Sequence, residues 1–450
     1  MRDLAFIAFL AALLGTGFRR PFLFVLAYAY IDIVSPQRLT YLLLNSVPIS
    51  MMAVALAVLG WLAFDDKKDV RVAPRQFLIL LLLGYCFYTT LHADFPLEAK
   101  DKWEWVWKAL VFAAFLPLTL RTRLRIESLL LFMILSAASI IIVGGIKTVG
   151  SGGGYGELNL MVTNNSGLYE GSTISTVAIA IIPLIVWFTR HGTIFAPDWK
   201  VKTFSYALIF ACLLIPVGTS TRTGLLCIGL LALLMIRDTR RKFVYLGALG
   251  ALGLAVVPFL PSAFTERMET IKSYQADASA STRIAVWQWT MDYVKTHPMG
   301  GGFEAYRQNQ IRYEKVAIQK EDGSTAKVDR SLEVDKARAY HSAYFEMLGE
   351  QGWPGLSIWL MINLAGLFRM ELLRRRYRKP EPGQEWIAPL ASALQSAHFI
   401  YLLGAVFIAI AFQPFVYMLI GAQIGLDTYC ARKRAESAWR PLLPPRAATA

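Results

Sequence analysis

Arg222 lies in a polar segment whose residue types suit the binding of phosphate groups. Residues 218–224 read Gly-Thr-Ser-Thr-Arg-Thr-Gly and interrupt two apolar runs. Arginine binds phosphate oxygens bidentately, and the small residues around it, Ser220 among them, leave room for a ligand. Two other interpretations stay open, because an arginine near a membrane surface also reaches lipid headgroups or forms an ion pair within a helix bundle.

Arg283 is a second candidate for binding an anion. The pattern of residues 283–294 predicts an amphipathic helix that ends before Pro298 and a glycine turn. A cation in the first turn of a helix opposes the helix dipole, and a bound anion would offset this. A solvated surface arginine is the alternative. Gly302 and its two preceding glycines either present backbone amides to a phosphate or form a turn.

His341 is the candidate general base. It lies in the segment Ala-Tyr-His-Ser-Ala-Tyr, residues 339–344, directly before a long apolar stretch. A histidine with a near-neutral pKa at the boundary between water and a membrane can accept a proton from a hydroxyl group. Ser342 and Tyr344 follow this histidine in the sequence and are candidates for a supporting role.

Metal and cysteine chemistry are not indicated by the sequence. It has no Walker lysine loop, no GxGxxG after a strand and no HExxH. The cysteines show no CxxC spacing, which favours small buried hydrophobic residues over a zinc site or a disulfide framework. They are Cys86, Cys212, Cys227 and Cys430. We therefore expect chemistry that uses arginine and histidine, with no metal and no cofactor.

The elements that position these residues are predicted to be transmembrane helices. Hydrophobic residues make up 55% of the chain and charged residues 17%, which nearly excludes an ordinary soluble enzyme. Apolar stretches near the ~20 residues that cross a bilayer predict an all-α polytopic membrane protein with about 12 or 13 transmembrane helices. The stretches are residues 4–17, 21–34, 47–64, 76–91, 105–120, 128–145, 172–189, 204–217, 224–236, 243–260, 343–368, 388–411 and 412–429.

The charge pattern orients these helices. The net charge is +14, from 46 Lys+Arg against 32 Asp+Glu, and basic residues recur in alternate short loops. The positive-inside rule places those loops in the cytoplasm, so the charge indicates membrane orientation and contact with anionic lipid, with no role for nucleic acid. The one long connection, residues 261–340, then forms a folded lobe on the opposite side.

His341 begins a segment that resembles a known family signature. His341-Ser342, nine residues, and then Gly352-Trp-Pro-Gly355 resemble the pattern His-[Asn/Ser/Gln]-x9-Gly-x-x-[Gly/Thr/Tyr] of the bacterial O-antigen ligase and polymerase superfamily. That family also carries its histidine where a large periplasmic loop returns to the membrane, as is predicted for this chain.

Other segments extend the resemblance over nearly the whole chain. Residues 219–224 are similar to the Ser-x-Ser-Arg-x-Gly segment of the family, with Thr221 in place of the second serine. Arg283 and the turn at 297–303 resemble its loop arginine and His-Pro-x-x-Gly-x-Gly turn. The N-terminal residues, with Ser-Pro-Gln-Arg-Leu-Thr at 35–40, resemble a narrower branch, the O-glycosylation ligases associated with exosortase A systems.

The resemblance implies a GT-C-like fold and four parts of the chain. Residues 1–260 would be an N-terminal bundle of about ten transmembrane helices, residues 261–340 a large periplasmic lobe, residues 341–430 the C-terminal transmembrane helices, and residues 431–450 a basic cytoplasmic tail. The protein would be multi-pass in the bacterial inner membrane, with its active site facing the periplasm.

The resemblance also implies an activity, namely transfer of a glycan from an undecaprenyl-diphosphate carrier to an acceptor hydroxyl. His341 would be the base and Arg222 and Arg283 a clamp on the diphosphate, and direct attack would invert the anomeric carbon. The acceptor stays open between a protein, the lipid A core and the end of another glycan. The alternatives are a polymerase of the same superfamily, a transporter or flippase of lipid-linked glycans and, as a weaker option, an exosortase-type protease.

Overall fold

The structure is a computed structural model in which residues 2–40, 47–68, 70–155, 167–237, 278–319 and 327–438 are described, with the isolated positions 44, 244, 247, 250 and 251. Three of the predicted segments lie almost entirely outside this part of the chain. They are the helix at residues 243–260, the first part of the lobe at 261–277 and the end of the tail at 439–450.

The described chain is helical apart from one β-ribbon and short turns. The helices are α1 (Arg2–Gly17), α2 (Phe22–Val34), α3 (Pro36–Leu39), α4 (Ile49–Phe64), α5 (Pro74–Leu91), α6 (Pro96–Thr119), α7 (Arg123–Ser151), α8 (Gly171–His191), α9 (Trp199–Gly218), α10 (Arg222–Met235), α11 (Ala278–Thr296), α12 (Ala343–Arg376), α13 (Ile387–Gly404) and α14 (Pro414–Ala438).

Local sequence explains where several helices begin. Proline stands at the start of α3, α5 and α6, where its missing N–H costs no hydrogen bond. The side chains of Thr122, Glu170 and Asp198 accept hydrogen bonds from the first free backbone amides of α7, α8 and α9. These N-caps mark the points where polar loops end and the apolar helices begin.

Four predicted helix boundaries were wrong by more than six residues. Helices α12 and α14 extend to Arg376 and Ala438, past the predicted residues 368 and 429, and the other two differences lie near the site. Helix α6 begins at Pro96 instead of residue 105, so its first turns are polar and carry Lys102. Helix α13 ends at Gly404 instead of residue 411. The residues after Gly404 form a loop whose backbone bonds to α12, since the Ala343 amide donates to the Ala405 carbonyl at 2.8 Å. Apolar composition alone does not distinguish such a buried loop from a helix.

Five helices of the described chain are long and apolar enough to cross a membrane. They are Arg123–Ser151, Gly171–His191, Trp199–Gly218, Ala343–Arg376 and Ile387–Gly404. Four more apolar helices are shorter, at Asp3–Gly17, Phe22–Val34, Ile49–Phe64 and Arg222–Met235. The chain is therefore a helical membrane protein, and the count of about 12 or 13 spans stays a prediction.

The predicted helical fold class is confirmed in its coarse form, and the described part of the lobe adds one β-ribbon. After α11, strands β1 (Gln310–Gln319) and β2 (Lys327–Lys336) form an antiparallel ribbon, with Gln310 opposite Lys336. Buried Asn309 closes its base, because its side chain donates to the Arg338 carbonyl at 2.7 Å and accepts from the Arg338 amide at 2.8 Å. The β-branched and aromatic residues in β1 suit an extended strand.

Helix α8 lies at the centre of the bundle. It packs against α9, α10 and α13, and its buried residues extend over most of its length. A helix that is apolar on all sides must be enclosed by protein or lipid. Its first residue, Gly171, directly follows the loop of Tyr169 and Glu170, so this central helix begins at a polar loop.

Candidate functional site

A cavity of about 990 Å³ opens at one end of the bundle. The ends of α2, α6, α8 and α12 meet there with α11, the loop before His341 and the loop after Gly404. We call this end of the bundle the site end. The opposite end carries the basic loops around residues 65–73, 120–125 and 369–386, and we call it the basic end.

Charge is concentrated in the cavity. Its lining includes eight carboxylate side chains, five lysine or arginine side chains and one histidine. Such a density of charge in a partly enclosed space strengthens each electrostatic interaction relative to water. The cavity is therefore suited to bind and polarise a charged substrate.

Two of the residues predicted from sequence line the cavity together, namely His341 and Arg283. Arg222, the third, begins α10 and is not among the lining residues. Its proposed contact with a phosphate stays a prediction. The lobe and the start of α12 therefore meet at the cavity as expected, while the segment around Arg222 packs beside it.

The backbone holds His341 in an unusual conformation. Its φ is +49°, in the left-handed region that non-glycine residues rarely adopt. The indole nitrogen of Trp287 on α11 donates to the Tyr340 carbonyl at 2.9 Å, and the Trp287 ring stacks on Phe345 with centroids 4.9 Å apart. The lobe thereby fixes the turn that presents His341 to the cavity.

Electrostatic surroundings keep His341 neutral near pH 7. Burial lowers its pKa below the usual 6.5, the positive charges of Arg283 and Arg338 lower it further, and the carboxylate of Glu170 opposes them. A neutral imidazole can accept a proton, which is the state that a general base requires. The arrangement supports proton transfer at this position.

Glu170 is fixed by the start of α8. Its two carboxylate oxygens accept from the amides of Ser172 and Thr173 at 3.0 and 2.6 Å, and one also accepts from the Thr173 hydroxyl at 2.7 Å. These three hydrogen bonds hold the carboxylate in one position. Glu170 therefore places a fixed negative charge near His341, and the sequence analysis did not identify it.

A buried ionic cluster of Lys102, Glu346 and Glu350 also lines the cavity. The Lys102 ammonium donates to Glu346 at 2.7 Å and to both oxygens of Glu350 at 2.9 Å. Glu346 additionally accepts from the Ala411 amide at 2.9 Å. The cluster ties α6, α12 and the loop after Gly404 together, because buried charges are stable only when paired and hydrogen-bonded.

The glycine turn of the lobe docks into a kink in α12. Gly352 has φ +61° inside the helix, and a Cβ there would lie 2.2 Å from the Pro298 carbonyl oxygen. The amide of the next residue donates to that carbonyl at 3.0 Å, while the Gly301 and Gly302 amides donate to α12 carbonyls at 3.1 and 2.9 Å. The Gly302 amide is therefore bonded to protein, which is the turn alternative for these glycines, and a role for Gly302 in the site stays a prediction.

The segment around Ser220 is packed by hydroxyl groups. Ser220 has φ +52°, is 4% exposed, and its hydroxyl has no hydrogen-bond partner within the described residues. Beside it, Thr219 and Thr221 both bond to the Ser175 hydroxyl of α8 at 2.9 Å. This small network attaches the start of α10 to α8.

The two remaining supporting candidates contribute to the scaffold. Ser342 is 1% exposed and stands at the start of α12. The Tyr344 hydroxyl donates to the Leu402 carbonyl at 3.2 Å, and its ring packs edge-on against Trp359. Neither is among the lining residues of the cavity, so both act on the position of α12.

One signal in the sequence would have pointed to the residues that were missed. Glu346 and Glu350 lie four residues apart in a stretch that is otherwise predicted to cross the membrane, where ionisable groups are costly and need partners. Lys102 and Glu170 offered no such signal, because they stand in polar connections. Within the described residues, no group of three His, Cys, Asp or Glu side chains is arranged so that it could hold a metal ion.

The architecture defines a helical membrane protein with a charged cavity at one end. Comparison with known families indicates which kind of membrane protein this is. Residues 207–360 match the O-antigen ligase family, and residues 1–193 match a family of unknown function (DUF5935). No curated protein matches the chain. The first match supports the O-antigen ligase superfamily and implies a membrane ligase or glycosyltransferase activity in general. Both matched regions contribute to the cavity, since one contains Arg283 and His341 and the other Lys102 and Glu170.

Proposed function

We propose that the protein is an inverting, metal-independent glycosyltransferase that moves a glycan from an undecaprenyl-diphosphate carrier to an acceptor hydroxyl at the periplasmic face of the bacterial inner membrane. The observation that carries this proposal is the meeting of His341 and Arg283 in one charged cavity, within the region that matches the O-antigen ligases. A GT-C-like fold is part of the proposal.

The proposed reaction is a single displacement. His341 accepts the proton of the acceptor hydroxyl, whose oxygen attacks the anomeric carbon as the bond between that carbon and the diphosphate oxygen breaks. The diphosphate leaves with the electron pair, and Arg283 neutralises the charge that develops on it. Arg222 would be the second arm of this clamp, as the family resemblance implies.

Glu170 supports the same reaction through charge. After proton transfer His341 is an imidazolium, and the positive charges of Arg283 and Arg338 disfavour it. The fixed carboxylate of Glu170 acts in the opposite sense and stabilises the protonated form. The base is thus neutral before the reaction and is partly compensated afterwards.

We propose the exosortase-associated O-glycosylation ligases as the closest branch. The N-terminal segments that resemble this branch include Arg38, which lines the cavity. The partners would be membrane lipids, the lipid-linked glycan and an acceptor that is a protein, lipid A core or a glycan end. A polymerase would use the same residues and differ only in taking a glycan end as the acceptor.

The test is a transfer assay with the full-length protein in lipid nanodiscs, given an undecaprenyl-diphosphate glycan and candidate acceptors. Mass spectrometry of the acceptors should show one added glycan, and product from a glycan acceptor alone would indicate a polymerase. The same assay with EDTA should be unchanged, and activity restored only by added metal would contradict the metal-free step. In sealed vesicles, movement of the donor across the bilayer without any product would show that the protein is a transporter and not an enzyme.

A further inference from the structure

Arg38 is a cavity residue that the proposed mechanism does not use. It lies on α3, a single turn that follows α2, and its side chain is exposed to the cavity. Ser35 makes the turn between the two helices with φ +52°. Because serine rarely adopts this conformation, the turn is held by its surroundings, and it places Arg38 at the cavity.

The loop before α8 fixes the position of α3. The Tyr169 hydroxyl donates to the Val34 carbonyl, the last residue of α2, at 2.6 Å. Arg38 lies close enough to Tyr169 to interact with it electrostatically, and the next residue, Glu170, interacts in the same way with His341. Arg38 and His341 therefore both lie near the loop of Tyr169 and Glu170 that precedes α8.

Two of the five cavity cations form ion pairs with carboxylates. Lys102 is held by Glu346 and Glu350, and Arg307 bonds to Glu304 at 3.1 Å and lies 3.9 Å from Glu98. By contrast, Arg38 and Lys108 have no carboxylate within 4 Å in the part of the chain that the structure describes. Lys108 is still in electrostatic range of Asp32, so Arg38 is the better placed of these two cations to bind an anionic ligand.

An arginine in this position fits one kind of ligand. Its guanidinium is planar and forms two parallel hydrogen bonds with a phosphate group. Helix α3 follows directly on the end of an apolar helix, which is the level at which the headgroup of a lipid-linked substrate lies. A phosphate that is attached to a polyprenyl chain would reach Arg38 while the chain stays among the apolar helices.

We propose that Arg38 binds the diphosphate of the lipid-linked donor together with Arg283, as a binding residue contributed by the N-terminal region. This inference rests on the proposed function. It assigns to the region that matches a family of unknown function a direct contact with the donor.

Binding measurements test this without any transfer step. The full-length protein is placed in phosphatidylcholine nanodiscs, and the Kd for undecaprenyl diphosphate without a glycan is measured for the natural chain, Arg38→Gln, Arg38→Lys and Arg307→Gln. Loss of a charge-assisted bidentate contact should raise the Kd of Arg38→Gln about 10- to 100-fold. Arg38→Lys should lie between, and Arg307→Gln should stay within about twofold, because that arginine is already paired.

Several outcomes overturn the assignment. The Kd of Arg38→Gln within about twofold of the natural chain would do so, and so would equal losses for Arg38→Gln and Arg307→Gln, which would indicate only the general charge of the cavity. If phosphatidylglycerol in the nanodisc competes with undecaprenyl diphosphate, Arg38 is a lipid-headgroup site instead. Equal thermal unfolding of the variants shows that the fold is intact.

The same variants separate this inference from the proposed function. If no acceptor is glycosylated but Arg38→Gln still weakens diphosphate binding, the transfer proposal fails and the assignment of Arg38 stands. If transfer occurs and Arg38→Gln leaves the KM for the donor unchanged, the assignment fails and the transfer proposal stands.

Discussion

At the basic end of the bundle, Arg125 and Arg369 each join two helices through a single aspartate, whereas at the site end one lysine is shared by two carboxylates. Arg125 holds Asp65 at 2.6 and 2.8 Å, and Arg369 holds Asp427 at 2.8 and 2.7 Å. At the site end Lys102 serves both Glu346 and Glu350, and Arg38 has no carboxylate within 4 Å among the described residues. Paired charges stabilise a structure, while unequally paired charges leave groups available to a ligand.

Backbone strain follows the same division. Non-glycine residues with positive φ in the described chain are Ser35, Ser220, Glu304, Ala337 and His341, all toward the site end. Each costs about 1–3 kcal/mol and persists only where the surrounding structure requires it. We infer from this difference that the residues of the basic end orient and stabilise the protein. The residues of the site end hold particular side chains in place.

The largest expected effect is on transfer when the site-end histidine is removed. His341→Ala should reduce the rate by about 10²- to 10⁴-fold, the usual contribution of a general base. His191→Ala, at the basic end of α8, should leave the rate within about twofold, because that side chain is remote from the cavity. Equal losses in both variants, measured in the nanodisc assay, would remove the distinction between the two ends for catalysis.

The second effect compares two ion pairs through stability. Lys102→Met leaves Glu346 and the fully buried Glu350 without a cation, which should cost about 3–5 kcal/mol. Arg369→Met breaks a pair whose arginine side chain is 44% exposed and should cost about 0–1 kcal/mol. Thermal unfolding in detergent measures both. A larger loss for Arg369→Met would show that the buried cluster is not what holds the site end.

The third effect compares two glycines with positive φ. Gly352→Ala must adopt φ +61° and also places its Cβ 2.2 Å from the Pro298 oxygen, so strain and overlap should together cost about 2–5 kcal/mol. Gly383→Ala, in a loop at the basic end with φ +84°, meets nothing within 4 Å and should cost only about 1 kcal/mol. Similar unfolding temperatures for the two variants would contradict the docking of the lobe turn into α12.

The smallest effect is a shift in pH dependence. The base must be neutral and the pKa of His341 lies below 6.5, so the rate should be steady at neutral pH and fall as the pH drops below that range. Arg283→Gln removes a nearby positive charge and should move the acid limb to higher pH, by less than about one unit. Glu170→Gln should move it to lower pH. Shifts in the same direction would exclude His341 as the titrating group.

The sequence predicted the parts of the fold that depend on apolar periodicity. Most helix ends lie within a few residues of the predicted positions, since caps and prolines mark them locally. It failed at residues 405–413, because their backbone groups bond to α12 and to Glu346. Such long-range bonds leave no local pattern. The ribbon was also missed, since its strands lie in a mixed-charge segment.

For the site, motif spacing identified His341 and Arg283, and the structure brings both to one cavity. The partners of these residues could not be predicted, because they come from α6, α8 and α3, which are distant in the sequence. No spacing in the sequence connects Glu170 or Lys102 with His341, and only the folded structure shows that they line the same cavity. The resemblance assigned a role to Arg222 by spacing, but packing decides whether that side chain reaches the cavity.

The kink at Gly352 also determines how deep the start of α12 lies relative to the bilayer. Helix α12 has 34 residues, which corresponds to about 51 Å, well beyond the ~30 Å hydrocarbon core. The 24 residues that follow the kink, 353–376, measure about 36 Å and suffice to cross that core. The nine residues before it, with Glu346 and Glu350, then rise about 13 Å into the headgroup layer. A donor could thus keep its polyprenyl tail in the bilayer while its polar group lies in the cavity, without being lifted out of the membrane.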